Sequence, residues 1–301
     1  LKTNSGLKRQ RRFGEILVEG WIRLAGILGI VFLLAIIALL IKEGAPILQY
    51  TSPIDFFFGS QWYPVSDPPT FGIRTFFVAT LWVTAVSTAI AVPVGIGSAV
   101  YLAEIAPDRV RETVKPVVEV LAGFPSVVIG FIGLMLLSPR IQSMFDLPTG
   151  LTGLTAGIML SLMSLPIIIS VSEDALRAVP DHFREASYAL GATKWETIRH
   201  VSIPSAISGI TAAVMLGVGR AIGETMTVLM VAGGALAVPH VPTKPMMPMT
   251  AAIASGIGNA VRGGLQYQAL FAIGMMLFLM TLLVNWIASR VLQNQRRKFA
   301  R

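Results

Sequence analysis

Long uncharged apolar runs alternate with short polar segments along the whole chain. Leu24–Ile41 is 18 residues without a charge, enough to cross a hydrocarbon core about 30 Å thick at about 1.5 Å per residue. It is too long for a signal-peptide core and has no clean small-residue cleavage site, so it predicts an uncleaved first span. Thr75–Ala103 predicts a second span kinked at Pro93. Val120–Pro139 predicts a third, interrupted at Gly123-Phe124-Pro125, and Leu147–Ser172 a fourth, with Pro166 near its end. Ala206–Val231 and Leu265–Ser289 complete a set of six. Between them, Lys42–Phe71 reads as a polar loop with Pro53, Pro64, Pro68 and Pro69, and Glu104–Lys115 as a short charged one. Gly233–Gly264, rich in Pro, Met and Gly, predicts a re-entrant or irregular piece.

One polar segment carries helix punctuation of its own. In Glu173–Pro204, Asp181 follows Pro180 and is placed to cap a short helix with Phe183, Ala186 and Leu190 on one face. Gly191 ends that helix. Thr193 with Glu196 three residues later predicts a capping box, and Trp195 and Ile198 form the apolar side of the second helix. Two capped amphipathic helices exceed what a connection needs, and they predict a surface that docks on another protein.

Composition agrees with the run lengths. The chain is 54% hydrophobic and 13% charged, with mean hydropathy +0.71, which marks an all-α integral membrane protein. It has no cysteine, which excludes disulfides, thiolate metal sites and thiol chemistry. The net charge of +8 lies beside the spans rather than on a soluble domain, so it argues against nucleic acid and for topology. With the N-terminus inside, seventeen of the 24 Lys and Arg fall in inner segments. Five (Lys42, Arg74, Arg140, Lys244, Arg262) fall outside, and Arg23 and Arg220 lie within spans. That bias predicts both ends and the polar segment on the cytoplasmic side. The predicted organisation is residues 1–71 (basic tail, first span, outer loop), 72–290 (five-helix core containing the loop 173–205) and 291–301 (basic tail).

Glu185-Ala186-Ser187, three residues, Gly191, nine residues and then Val201-x-Ile203-Pro204 resemble the cytoplasmic EAA loop of ABC-importer permeases. The family's usual form is E-A-A-x3-G-x9-I-x-L-P, and this chain departs from it at Ser187, Val201 and Ile203. GRAIGETMTVLMVAGG (Gly219–Gly234) and FGSQWYPVSDPPTFGI (Phe58–Ile73) resemble the phosphate-importer branch of PstC type. The resemblance implies the type I importer architecture in the inner membrane, surrounded by lipid. It also implies a second homologous permease (PstA-like), two copies of an ATPase (PstB-like) and an extracytoplasmic phosphate-binding protein (PstS-like). ATP and Mg would sit on the ATPase, and this chain would bind no cofactor and no metal. Glu185, Ala186, Ser187, Gly191 and Pro204 would belong to the ATPase-coupling loop.

The charged residues of the fifth run are the candidates for chemistry. Arg220 and Glu224 stand at i and i+4, with Thr227 at i+7 on the same predicted helical face. Ionised groups at membrane depth cost at least about 2.5–3.5 kcal/mol and usually face a protein interior or a watery path. A guanidinium forks onto two oxygens of an oxyanion. Glu224 would hold Arg220, soften its charge or take a proton; a purely structural ion pair is the alternative. Ser126, beside the Gly-Phe-Pro interruption, is a further candidate for lining the path, and Glu119 is expected beside Arg111 or Lys115. No phosphate-binding G-x-x-x-x-G-K-[ST] loop occurs in the sequence, so an ATP-driven role needs a motor on another chain. Other oxyanions such as sulfate or molybdate, and a proton-coupled anion transporter using Glu224, are the competing readings.

Overall fold

The computed structural model describes the backbone of residues 4–299 and the side chains of 18–290 other than 288. The basic side chains predicted for the two tails, among them Lys2, Lys8, Arg9, Arg11, Arg12, Arg296, Arg297, Lys298 and Arg301, lie outside the described ones. In chain order the elements begin with α1 (Asn4–Gly44), α2 (Ile47–Tyr50), α3 (Pro53–Phe58), β1 (Trp62–Tyr63), β2 (Thr70–Phe71) and α4 (Arg74–Val100). A π turn at Tyr101–Ile105 leads to α5 (Asp108–Ala122) and α6 (Ser126–Ile132), and another at Gly133–Leu137 to α7 (Ser138–Met144). Then come α8 (Gly153–Arg177), α9 (Asp181–Ala189), α10 (Lys194–Thr197) and a π turn at Ile198–Ser202. The chain continues through α11 (Ile203–Gly223), α12 (Met226–Val231), α13 (Met249–Ile257) and α14 (Leu265–Phe299). Six helical stretches are long and apolar enough to cross a membrane.

The hub is α8. Of its most apolar window 61% is buried inside the chain, against 28% or less for the other five stretches. It packs chiefly on α4 and α11. Its fit there depends on missing side chains: Ile168 fills the notch left by Gly95 on α4 and Gly217 on α11, where an added Cβ would stand 2.6 Å and 2.7 Å from it. Such notches let helices approach where burial from water supplies no drive between them. Ser164 adds a hydroxyl bond of 3.2 Å to Gly217 O. The free N–H groups that begin any helix are all met in α8. Gly153 N donates to Lys244 O, Leu154 N to Pro242 O and Ala156 N to Thr152 O, and Thr155 N to Thr152 Oγ1. At the rim, α1 lies on α14 and leaves Trp21, Ile22, Ile27, Ile30 and Phe32 more than half exposed, as a lipid-facing helix does.

Several sequence expectations are corrected. Lys42–Phe71 is a folded cap with an apolar core, because Ile47, Phe56, Trp62 and Phe71 are buried with Ile73 and Phe76. Trp62 meets Phe71 and Phe76 edge-on at 5.8 and 5.1 Å, and the pairing of β1 with β2 places Trp62 opposite Phe71. The charged loop read at Glu104–Lys115 is mostly the start of α5, an amphipathic helix that runs to Ala122. The third span consequently begins after the Gly-Phe-Pro break, at Ser126. The irregular piece expected between the fifth and sixth runs is present, and it contains α13, whose nine residues rise about 14 Å, half the hydrocarbon thickness. The fifth run is also divided: α11 stops at Gly223, Glu224 is extended (φ −69°, ψ 131°), and α12 restarts at Met226.

Candidate functional site

Two helix breaks meet inside the bundle. Thr227, in the first turn of α12, is fully buried; its hydroxyl lies 3.0 Å from Ser126 O and 3.3 Å from the Met163 sulfur. Met163 is near the middle of α8 (Gly153–Arg177), about 15 Å from one end and about 21 Å from the other at 1.5 Å per residue. The junction therefore lies level with the middle of α8. Non-helical backbone at that depth persists only where protein or a watery cavity satisfies it, and most of the partners are visible. Thr250 Oγ1 donates to Glu224 O at 2.8 Å, and Thr227 N points at Glu224 Oε1 at 3.4 Å. Gly130 permits the contact between α6 and α12, since a Cβ there would stand 2.9 Å from the Met230 sulfur and 3.2 Å from Thr227 Cα.

Ser126, Glu224 and Thr227 are thus brought together, but not as one helical face. The predicted i, i+4, i+7 stripe is overturned because the helix ends before Glu224. Glu224 instead turns its carboxylate to the start of α12, a favourable place for a negative charge. Arg220 lies half-buried in the last turn of α11, three residues beyond Gly217, whose carbonyl accepts from Ser164 of α8. No ion pair joins Arg220 to Glu224 among the described residues. Among the described residues no carboxylate lies within ion-pair distance of its guanidinium.

The polar segment folds at the other end of α8 as a helical hairpin. The capping box forms as predicted, with Glu196 N reaching Thr193 Oγ1 at 3.3 Å and Thr193 N reaching Glu196 Oε2 at 2.8 Å. Gly191 turns the chain with φ +86°, a left-handed conformation that side chains disfavour. Asp181 does not cap α9: the helix starts at Asp181 itself, with Pro180 before it, and the carboxylate accepts from Arg184 at 3.1 Å. Glu185 and Ala186 are exposed and Ser187 and Pro204 half-buried. Ser187 is tied to Thr197 at 2.9 Å. Phe183, Leu190 and Trp195 are 49, 89 and 62% exposed, whereas Ile198 is buried. Thr193→Ala removes the cap, and amide exchange in residues 194–202 is expected to quicken roughly fivefold. Mass-spectrometric exchange of the folded complex checks this; an unchanged rate would refute it.

Ion pairs that the sequence reading did not anticipate anchor this end. Lys115 Nζ lies 2.6 Å from both Glu173 and Asp174, so Glu119 is left exposed and Arg111 turns to Asp108 at 2.8 Å. Glu173 wins because its side chain is only 1% exposed and a buried carboxylate left unpaired is costly. Hydrogen bonds donated by Lys115 to Asp174 and then to Glu173 raise its pKa above 10.5. This contribution to stability is complete below that value and disappears only as pH rises through the higher folded one. Coupling across neutral pH should be insensitive to this group. Arg184 binds Glu104, whose side chain is 5% exposed, at 2.9 Å. Among the described residues no His, Asp or Glu group could hold a metal.

Comparison with known proteins places this geometry. Residues 91–297 match the family described as binding-protein-dependent transport system inner membrane component. A probable ABC transporter permease protein, YqgH, of Bacillus subtilis is 40% identical over 243 residues, covering 79% of each chain. The phosphate transport system permease protein PstC of Mesorhizobium japonicum is 36% identical over 303 residues, covering 94% of this chain and 91% of its own. Among solved structures, a bacterial alginate ABC transporter bound to its periplasmic protein aligns with TM-score 0.63 and 16% identity over 92% of this chain and 96% of that one. The MetNI methionine ABC transporter in an inward-facing form aligns with TM-score 0.58 and 20% identity over 74% and 95%. The chain belongs to the inner-membrane components of binding-protein-dependent transport systems and is a multi-pass permease subunit of an ABC importer, not itself an enzyme.

Proposed function

We propose that this permease carries inorganic phosphate inward through the junction of its third and fifth spans. The observation behind the proposal is the meeting of two broken helices level with the middle of α8, with Arg220, a cation that has no carboxylate partner among the described residues, in the last turn before one of the breaks. Freed backbone, the Ser126 hydroxyl and a guanidinium together suit an oxyanion that must be held briefly and released, while the buried Thr227 hydroxyl, bonded to Ser126 O, holds the two breaks together. The phosphate permeases among its relatives favour phosphate over other oxyanions. Glu224 acts as a cap for α12 that keeps the break in shape. The path is completed by a second permease of the same kind, PstA-like, facing the Arg220 side.

The Lys and Arg bias puts both termini and the helical hairpin in the cytoplasm. There the exposed face of α9, with Glu185, Ala186 and Gly191, docks on an ATPase subunit that holds ATP and Mg, one of two PstB-like copies. A PstS-like binding protein delivers phosphate at the opposite face. In functional terms residues 72–290 are the transport core, residues 1–71 add a peripheral span and an outer cap, and 291–301 is a basic cytoplasmic tail. Lipid vesicles carrying this chain with those subunits and internal ATP are expected to take up radiolabelled phosphate, with a tenfold excess of sulfate or molybdate competing little. Uptake that ignores ATP and follows an imposed proton gradient would refute the importer role. Uptake suppressed by sulfate or molybdate would change the cargo.

A further inference from the structure

Arg184 lies on α9, the helix whose opposite face is proposed to meet the ATPase, and its side chain reaches the ends of α4 and α8. Its five N–H donors all have acceptors. Nε lies 3.3 Å from each oxygen of Glu104, and Nη2 donates to Glu104 Oε1 at 2.9 Å and to Leu176 O at 2.8 Å. Nη1 donates to Val179 O at 2.7 Å and Asp181 Oδ1 at 3.1 Å. Leu176 is in the last turn of α8 and Val179 just beyond it, where helix carbonyls lack helical partners. Glu104 belongs to the π turn that ends α4. A single guanidinium therefore joins α9 to the ends of the second and fourth spans, and side-chain exposures of 14 and 5% keep water from loosening it. Nothing else on α9 is comparably anchored: none of its residues is buried, and the Ser187 bond to Thr197 leads to α10 instead.

We infer that the Arg184–Glu104 pair is the pin through which displacement of α9 moves the second and fourth spans together. This rests on the proposed role of α9 as the ATPase-facing helix. A loop that received a push without such a pin would bend at the exposed residues around Gly191 and leave the spans in place. Arg184 is accordingly a positioning residue for transport. Lysine cannot replace it, because an ammonium has three donors and no planar fork with which to meet Glu104 and two carbonyls at once.

The test uses the complete reconstituted complex, with its ATPase and a phosphate-loaded binding protein, and measures ATP hydrolysed per phosphate taken up. Arg184→Lys and Glu104→Gln are each expected to raise that ratio about tenfold at normal assembly, and the double variant to be no worse than either alone. Arg184→Ala should do the same wherever it assembles. Unchanged ratios in Arg184→Lys and Glu104→Gln would overturn the inference, as would additive effects in the double variant. Uptake and hydrolysis falling in equal proportion would also overturn it, since that is the mark of a fold staple. A wild-type complex that showed no ATP-dependent uptake would instead refute the functional reading on which the inference stands.

Discussion

Arg220→Ala is expected to lower the initial rate of phosphate uptake roughly a hundredfold, corresponding to about 3 kcal/mol of lost charge-assisted hydrogen bonding, while the complex still assembles. The residue is half-buried at the end of α11 and has no carboxylate partner to strand among the described residues, so removing it should leave no unpaired charge behind among them. Arg220→Lys separates charge from shape: it keeps the positive charge but loses the fork, and should fall between wild type and alanine. Uptake by equal amounts of purified, reconstituted complexes decides the matter. Wild-type rates for the alanine variant would place Arg220 in packing and shift the path elsewhere.

Gly191→Trp is expected to cut transport at least about tenfold while ATP hydrolysis by the complex continues. Gly191→Ala should retain most of it. Both variants bear the strain of the left-handed turn at φ +86°, about 1–2 kcal/mol for any residue with a Cβ. Space within the chain does not distinguish them, because nothing lies within 4 Å of where that Cβ would stand. Only the tryptophan projects a large ring onto the proposed docking face. Equal losses in the two variants would mean that the shape of the turn, not contact with a partner, is what matters at this position.

What the sequence revealed and what it hid follow from the range of the interactions. The spans, the Thr193 capping box and the turn at Gly191 depend on neighbours within a few residues, and they were legible. The interruption at Glu224 was not, because Gly-Glu-Thr-Met contains no proline and reads as continuous helix. Thr250, which bonds Glu224 O across 26 residues, helps hold it open. The strand pairing of Trp62 with Phe71 was obscured by surrounding prolines and polar residues. Charge was misleading in α5, where Asp108, Arg111, Glu112 and Lys115 suggested a loop although the valines between them keep a helical period. Glu104 and Arg184 are 80 residues apart, and Lys115 and Glu173 are 58 apart. No local pattern connects either pair, and the better-placed Lys115–Glu119 spacing pointed to the wrong partner.

The way α8 begins also bears on how the chain is made. Two of its first amide groups, on Gly153 and Leu154, are satisfied by carbonyls of Lys244 and Pro242, about ninety residues later in synthesis. At roughly 5–20 residues per second, the central helix enters the membrane some five to twenty seconds before its own end can be closed. The bundle therefore cannot be completed span by span as each emerges from the ribosome. Its middle is finished by the loop that follows the fifth span, and a nascent chain halted before Pro242 would leave those two amide groups of α8 without these acceptors.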